Sequence, residues 1–175
     1  MRRMQTGLVV LSAAGMLGAA SLAETKVEVT NVHLCCPGCV KAVGTALKRV
    51  EGVKGVCNQK AKTVTFTAPD DATAQKGIEA LAAAGYHGRL ETKAVHFPRD
   101  SGATKGKVSS LTLTGIHNCC GACNKAIKTA VKKVTGVTGD TAKPKRDTFE
   151  VTGDYEATEL IRALHTAGFH VKVKK

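Results

Sequence analysis

The chain has no tryptophan, and its 175 residues include only two tyrosines and four phenylalanines. Proteins that bind single-stranded nucleic acid stack the bases on aromatic side chains, so this composition leaves little material for such a surface. Lysine and arginine together number 26 against 14 acidic residues, but they are spread along the chain and are typical of a solvated face. The sequence therefore predicts no nucleic-acid partner.

Several catalytic patterns are also missing. The sequence contains no recognisable Ser-His-Asp set, pair of catalytic carboxylates or glycine-rich phosphate loop, which hydrolases and kinases need. We therefore predict that the protein is not an enzyme. Beyond the N-terminal apolar run, no segment approaches the length of about 20 apolar residues that a transmembrane helix requires.

The N-terminal residues have the pattern of a secretory signal. A basic start over residues 1–5 precedes an apolar run over 6–20, and Ser21-Leu22-Ala23 places small residues where a signal peptidase cleaves. We predict that residues 1–23 are removed and that the mature protein is periplasmic or secreted, with an uncleaved anchor as the alternative. No cysteine lies near this cleavage site, which argues against a lipoprotein.

The cysteines of this chain are clustered. Six of its seven cysteines lie in two copies of a His-x-Cys-Cys-x-x-Cys pattern, at residues 33–39 and 117–123. Thiolates and imidazoles are ligands for soft and borderline ions such as Cu(I) and Zn(II), so two matching clusters predict a metal binder. The candidate ligands are Cys36, Cys39, Cys120, Cys123, Cys35, Cys119, His33 and His117.

The similarity between the two halves extends well beyond the cysteines. Apolar spacing and glycine placement match over most of each half, which indicates a duplicated domain. The matching positions include Val27 and Val29 with Leu111 and Leu113, Lys41-Ala42-Val43 with Lys125-Ala126-Ile127, Gly52-Val53 with Gly136-Val137, and Ala84-Gly85-Tyr86-His87 with Ala167-Gly168-Phe169-His170.

Each half predicts the same order of elements. Alternating apolar residues over 26–32 indicate a strand, and Val43, Leu47 and Val50 form the stripe of an amphipathic helix after the cysteine loop. Two more strands, a helix over 74–84 and a short strand over 86–91 follow. The predicted fold class is α+β, with two ferredoxin-like βαββαβ domains in tandem. The predicted boundaries are 24–91, a linker at 92–106, and 107–175.

The cysteine loop lies between the first strand and the first helix of each domain, so Cys39 and Cys123 fall near a helix N-terminus. Backbone N–H groups and the helix dipole there are expected to lower the pKa of a thiol and favour thiolate, the form that binds metal. Two thiolates suit Cu(I) or Hg(II), whereas three thiolates and one imidazole suit tetrahedral Zn(II). The number of ligands therefore bears on the identity of the ion.

Each repeat resembles a heavy-metal-associated domain, the family of copper chaperones, metal-ATPase N-terminal domains and the periplasmic mercury-binding protein. The resemblance rests on the Cys-x-x-Cys before the first helix, the Gly-Val after it, and Gly-Tyr or Gly-Phe before the last strand. It implies a βαββαβ fold that binds a soft ion and passes it to a metal-donor or metal-acceptor protein by ligand exchange. It also implies that Tyr86 and Phe169 lie near the metal loop and shield it.

The loops depart from the usual Gly-Met-x-Cys-x-x-Cys pattern of that family. The Gly-Met positions read Asn31-Val32 and Gly115-Ile116, and an added His-x-Cys precedes each Cys-x-x-Cys. The extra ligands favour storage or a borderline ion alongside transfer. Cu(I) and Zn(II) are the leading candidates, followed by Hg(II) and Cd(II).

The same residues are compatible with two other functions. The first loop, with Cys36-Pro37-Gly38-Cys39, is also compatible with a thiol–disulfide redox protein, and an interaction module with degenerate clusters is a third hypothesis. Cys35 and Cys119 are interpreted as third ligands, resolving thiols or exposed residues, and His33 and His117 as ligands or as solvated strand ends.

The remaining cysteine and the other histidines are not predicted to be metal ligands. Cys57 has no counterpart in the second half and is expected to be a buried free thiol on a strand. His87 and His170 occupy matching positions and are expected to be solvated strand residues rather than ligands. His96 and His165 lie in no motif.

Overall fold

A computed structural model describes residues 24–175, and the predicted signal segment 1–23 lies outside this range. Within it the chain forms eight strands and four helices. In chain order these are β1 Thr25–Thr30, α1 Pro37–Lys48, β2 Lys54–Asn58, β3 Thr63–Ala68, α2 Asp71–Ala83, β4 Arg89–Leu90, β5 Lys107–Thr114, α3 Gly121–Lys132, β6 Val137–Asp140, β7 Phe149–Glu156, α4 Ala157–Thr166 and β8 Lys172–Val173.

The strands form two antiparallel sheets of four, with the orders β2-β3-β1-β4 and β6-β7-β5-β8. The predicted fold class, α+β with two ferredoxin-like βαββαβ folds in tandem, is confirmed. We call β1 to β4 with α1 and α2 the first unit, and β5 to β8 with α3 and α4 the second unit. The two central strands of the first unit pair in register, with Val27 opposite Phe66 and Val29 opposite Val64.

The core of each unit lies between its sheet and its two helices. Because successive side chains of β1 lie on opposite faces of the sheet, Val27 and Val29 both lie on the face that the helices cover. Both are buried. Val43 and Leu47, one turn apart on α1, pack against that face. Burial of these stripes holds the first helix, and therefore the cysteine loop that leads into it, against the sheet.

Two element boundaries differ from the sequence prediction. Helix α2 begins at Asp71 because the Asp70 side chain caps it, accepting a hydrogen bond of 2.6 Å from the Thr73 N–H. The last strand of the first unit is limited to Arg89–Leu90, because Tyr86 forms an antiparallel bridge with Phe169 of the second unit. The pattern of each repeat taken alone gives no signal for that pairing.

The two units dock through equivalent residues. The N–H of His87 donates to the Gly168 carbonyl, and the N–H of His170 donates to the Gly85 carbonyl, both at 3.0 Å. Because His87 corresponds to His170 and Gly85 to Gly168, the contact is isologous, as in a two-fold dimer. The protein is thus arranged as a pseudo-dimer within one chain.

Gly85 and Gly168 are required for this close approach. Their φ values are 82° and 89°, in the region that glycine tolerates best. A Cβ on Gly85 would lie 2.3 Å from the backbone nitrogen of His117, and one on Gly168 would lie 2.5 Å from that of His33. The backbone of each glycine therefore lies in direct contact with the loop of the other unit.

Residues 91–106, between β4 and β5, contain no helix or strand but pack closely on both units. Val95 is buried, and the Gln75 side chain exchanges two hydrogen bonds of 3.0 Å with the backbone of His96. On the other side, the Ser101 carbonyl accepts a hydrogen bond of 2.7 Å from the N–H of Val173. Between residues 24 and 175, no helix combines the length and apolarity needed to cross a membrane.

The close contact of Gly85 can be tested by substitution, with Gly115 as the control. Gly85→Ala should lower the free energy of unfolding by about 1–3 kcal/mol more than Gly115→Ala, because the added methyl collides with the opposing backbone. Gly115 has a similar φ of 80° but open space around its Cβ direction, so it reproduces the backbone strain alone. Urea denaturation of both variants measures the difference, and equal losses would show that the units do not dock as described.

Candidate metal centre

The two cysteine loops reach their helices in the same way. Cys36 and Cys120 are the N-cap residues of α1 and α3, each with an extended backbone at φ values of −153° and −149°. Pro37 begins α1, where its fixed φ suits the first helical position. Cys39 and Cys123 lie in the first turn of their helices, and both are buried.

Docking of the units brings the six loop sulfurs into one cluster. Across the interface, the Sγ of Cys35 lies 3.3 Å from that of Cys123 and 3.6 Å from that of Cys120. The Sγ of Cys119 lies 3.7 Å from that of Cys36 and 3.8 Å from that of Cys39. Cys39 and Cys123 face each other at 3.8 Å, near the pseudo-two-fold axis.

Sulfur pairs within each loop have the same spacing. The distances are 3.6 Å for Cys36 to Cys39 and 3.8 Å for Cys120 to Cys123, and all six cysteines are free thiols. A tetrahedral ion with metal–sulfur bonds of about 2.3 Å separates its sulfur ligands by about 3.8 Å. The sulfur positions therefore match the edges of metal–thiolate tetrahedra, both within a loop and between loops.

The two loop histidines join the same cluster. Ligand atoms of Cys39, His117, Cys119 and Cys123 lie within 4.8 Å of one another, and so do those of His33, Cys35 and Cys123. Both sets combine residues of the two units. The structure thus brings together all eight residues that the sequence nominated as ligands; whether each of them coordinates a metal stays a prediction.

Aromatic side chains cover the histidines from the opposite unit. His33 packs against Phe169 and His117 against Tyr86, each with ring centroids 4.5 Å apart. The Nε2 atoms of both histidines are buried and have no hydrogen-bond partner in the described chain. Burial lowers the pKa of His33, which favours the neutral ring that can coordinate a metal.

Tyr86 closes the inner side of the cluster. Its side chain is fully buried, and its hydroxyl donates a hydrogen bond of 3.1 Å to the Cys39 carbonyl. The other four loop cysteines are only partly buried, unlike Cys39 and Cys123. An ion would therefore enter from the side of Cys35, Cys36, Cys119 and Cys120 and would be held deepest at Cys39 and Cys123.

The pKa values of the two buried cysteines shift in opposite directions. The pKa of Cys39 is lowered, chiefly because its thiolate accepts a hydrogen bond from the Cys123 thiol, and the same contact raises the pKa of Cys123. Two sulfurs at this distance share one proton more readily than they lose two. The sequence predicts a lowered pKa for both thiols, but docking places them face to face, so we expect the pair to ionise once rather than twice.

The outer cysteines differ among themselves. Burial raises the pKa of Cys35 and of Cys119 to about 12. A hydrogen bond from the backbone N–H of Cys123 contributes most to lowering the pKa of Cys120 to about 7. A thiophilic cation entering the cluster would therefore displace protons from several of these groups, which couples metal binding to pH.

Sequence reasoning missed one residue that braces the second loop. Asn118 is buried, and its side-chain amide donates to the Lys143 carbonyl at 2.8 Å and to Asn124 Oδ1 at 3.1 Å. The corresponding residue of the first loop, Leu34, is buried in the apolar core instead. The exchange of leucine for asparagine at matching positions was the available signal.

Comparison with known protein families identifies part of the chain. Residues 114–170, which include the second cysteine loop, match the heavy-metal-associated domain. This segment is a heavy-metal-associated domain. A comparison of the chain with curated proteins finds no significant match.

Comparison with solved structures finds several similar proteins. Oxidized MerP from Ralstonia metallidurans CH34 is 29% identical with a TM-score of 0.36, over 38% of this chain and 96% of that one. The N-terminal soluble domains of Bacillus subtilis CopA are 20% identical with a TM-score of 0.32, over 87% of this chain and 95% of that one. A second structure, of the water-soluble region of the P-type ATPase CopA from Bacillus subtilis, is 22% identical with a TM-score of 0.31, over 87% and 92%.

The residues outside the cluster correct two expectations. His170 was expected to be solvated, yet it is 1% exposed and fully packed between the units. That prediction was wrong because the docking contact covers the strand end on which it lies. Cys57 is a free thiol on β2, as expected, but it is only half-buried and makes no sulfur contact within the described chain.

The sulfur cluster predicts cross-linking between the units. Mild oxidation with diamide should join Cys35, Cys36 or Cys39 to a cysteine of the second loop, because their sulfurs are as close across the interface as within a loop. Residues 27–41 and 108–125 are separate tryptic peptides that each carry one complete loop. After denaturation in an alkylating agent and trypsin digestion, mass spectrometry without reduction should detect the two peptides joined.

Cys57 provides the control, since its peptide should be alkylated and unlinked. Bridges confined to single loop peptides would contradict the docked arrangement.

Proposed function

We propose that this protein is a non-enzymatic, extracytoplasmic metal binder that holds a soft or borderline heavy-metal ion at one centre built by both cysteine loops. The observation that carries the proposal is the convergence of six free thiols, spaced between 3.3 and 3.8 Å across and within the two loops. Thiolate-rich sets of this kind select soft and borderline ions over hard ones. The assignment of the second loop to a heavy-metal-associated domain supports it.

The ligand sets favour two kinds of ion. Cys39, Cys119, Cys123 and His117 supply three thiolates and one imidazole, the set that suits tetrahedral Zn(II). The same sulfurs suit Cu(I), because soft thiolate ligands favour this ion. Hg(II) and Cd(II) are further candidates of the same thiophilic class.

The first unit is proposed to be a second heavy-metal-associated-like domain. It repeats the loop, the helix that follows it and the sheet order of the second unit. We propose 24–91 and 107–175 as the two domains and 92–106 as the connection between them. All eight cluster residues, Cys35, Cys36, Cys39, Cys119, Cys120, Cys123, His33 and His117, are proposed as metal ligands.

The difference in exposure between the outer and the inner sulfurs suits both storage and transfer of the ion. The partly buried cysteines line the outer side of the cluster, where a donor or acceptor protein with its own thiolates can exchange ligands with the ion. The buried pair, Cys39 and Cys123, holds the ion between such exchanges. We propose a metal-donor or metal-acceptor protein as the partner, and no nucleic acid.

The proposed location is the periplasm or the exterior of the cell, on the strength of the signal-like residues 1–23. Such compartments favour disulfides. A bound ion would compete with oxidation by occupying the thiolates, so loading with metal and protection from oxidation go together.

A thiol–disulfide redox function is the second candidate. The pKa of Cys120 is lowered to about 7, so this partly exposed thiol is substantially ionised at neutral pH and is a competent nucleophile. Turnover in an insulin-reduction assay, lost on Cys36→Ser or Cys120→Ser, would favour this candidate over metal binding.

Metal retention tests the primary proposal. The reduced full chain, mixed anaerobically with Cu(I) or Zn(II) and passed through gel filtration, should keep the metal. The double variant Cys36→Ser/Cys39→Ser should lose more than half of it, because the second loop then also lacks sulfur partners. Cys57→Ser is the matched control and should bind as the unmodified chain does.

Two results would count against the proposal. A chain that retains no metal would reject metal binding altogether. A double variant that keeps half of the metal would mean that each loop binds its ion independently.

A further inference from the structure

A second group of potential ligands lies outside the cysteine cluster. His87 of the first unit and His165 and His170 of the second each place one ring nitrogen within 4.8 Å of the others. Their rings are nearly parallel, and the centroids of His87 and His165 are 4.0 Å apart. The group exists only because the units dock, since no single unit supplies all three residues.

Asp100 prepares His170 for coordination. Its Oδ1 lies 2.9 Å from the Nε2 of His170, and its Oδ2 accepts from the Lys172 ammonium. A carboxylate at this distance fixes the proton on Nε2 and leaves the lone pair on Nδ1, the arrangement found behind metal-bound histidines. His170 is buried, and its Nδ1 has no hydrogen-bond partner in the described chain.

His165 has an orphaned nitrogen as well. Its Nε2 is buried and has no hydrogen-bond partner among the described residues. Burial lowers the pKa of His87 to about 3 and that of His165 to about 4, so both rings are neutral and retain a lone pair at physiological pH. Buried polar atoms without a partner are uncommon in folded proteins, and two of them in one group point to a ligand.

Two of the three rings, those of His87 and His165, line a groove. The groove, of about 830 Å³, lies between the units and is lined by residues of both. Two arginines of its wall, Arg89 and Arg162, pair with Glu91 and Glu159, which offsets part of the positive charge that an approaching cation meets. The groove is therefore a path by which a hydrated ion can reach the rings of His87 and His165, behind which His170 is buried.

We propose that His87, His165 and His170 form a second cation site for a borderline divalent ion of the Zn(II) class. Three neutral imidazoles leave one position of a tetrahedral ion for water or an incoming ligand. Bonds of about 2.0–2.1 Å place nitrogen ligands about 3.4 Å apart. Binding therefore requires the parallel rings to rotate about their side-chain torsions until their nitrogens converge on the ion. The bound ion ties the two units and residue Asp100 together and so locks the interface that builds the cysteine centre.

The two sites differ in ligand type, which keeps them experimentally separate. Soft ions prefer the thiolates, whereas imidazole suits Zn(II) and its neighbours. Co(II) is a suitable probe because its spectrum distinguishes nitrogen from sulfur ligands. The test begins with the reduced full chain, loaded anaerobically with Cu(I) until no more is retained.

Titration of this loaded protein with Co(II) should show one bound cobalt per chain. The expected spectrum has the visible bands of four-coordinate Co(II) without sulfur-to-cobalt charge-transfer absorption, and Zn(II) should displace the probe. The absence of Co(II) binding, or a spectrum with sulfur ligation, overturns the proposal and leaves the three rings as a packing stack that continues onto Phe97.

Three variants sharpen the test. His165→Phe keeps a flat ring in the stack but removes a ligand, so the cobalt bands should disappear. Asp100→Asn should weaken Co(II) binding by about 10–100-fold through loss of the supporting carboxylate. His96→Gln, at an exposed histidine outside the group, should leave binding unchanged.

Unchanged Co(II) affinity in both His165→Phe and Asp100→Asn contradicts the site. Metal-free thermal unfolding of each variant establishes that it is folded. If His165→Phe fails to fold, the 10–100-fold change expected for Asp100→Asn decides the question.

Discussion

The contact between Gly85–His87 and Gly168–His170 governs the rest of this structure. Its reciprocal hydrogen bonds pair two strand ends that the βαββαβ fold alone would leave free. Because the cysteine loops lie beside these strand ends, the contact determines whether six sulfurs form one cluster or two separate triplets. Glycine at both positions is the local requirement, since a side chain would strike the opposing loop.

Duplication within one chain gives this arrangement an advantage over two separate domains. A covalent connection holds the second loop at an effective concentration of the order of millimolar, so a shared centre does not depend on protein concentration. The connection at 92–106 contributes directly as well, because Val95 packs into the core and Asp100 binds His170. The two loops have similar sequences, and docking of the units places their ligands in one cluster.

The sequence predicted the fold class because its signals are local. Alternating valines in β1, the stripe on α1 and the glycines that end the helices each report on neighbouring residues, and the duplicated pattern reinforced them. The limits of β4, the burial of His170 and the raised pKa of Cys123 were missed for one shared reason. All three depend on contacts between residues about 80 positions apart, between Tyr86 and Phe169 or Cys39 and Cys123, and no local pattern encodes such pairing.

We propose that an ion bound by this protein is held by cysteines of both loops at once. Cadmium NMR on protein loaded with a magnetically active cadmium isotope tests it directly, through scalar couplings between the metal and cysteine β protons. A shared ion should give a cadmium resonance coupled to β protons of residues 35–39 and of residues 119–123 together. Resonances that each couple to the cysteines of a single loop would contradict it.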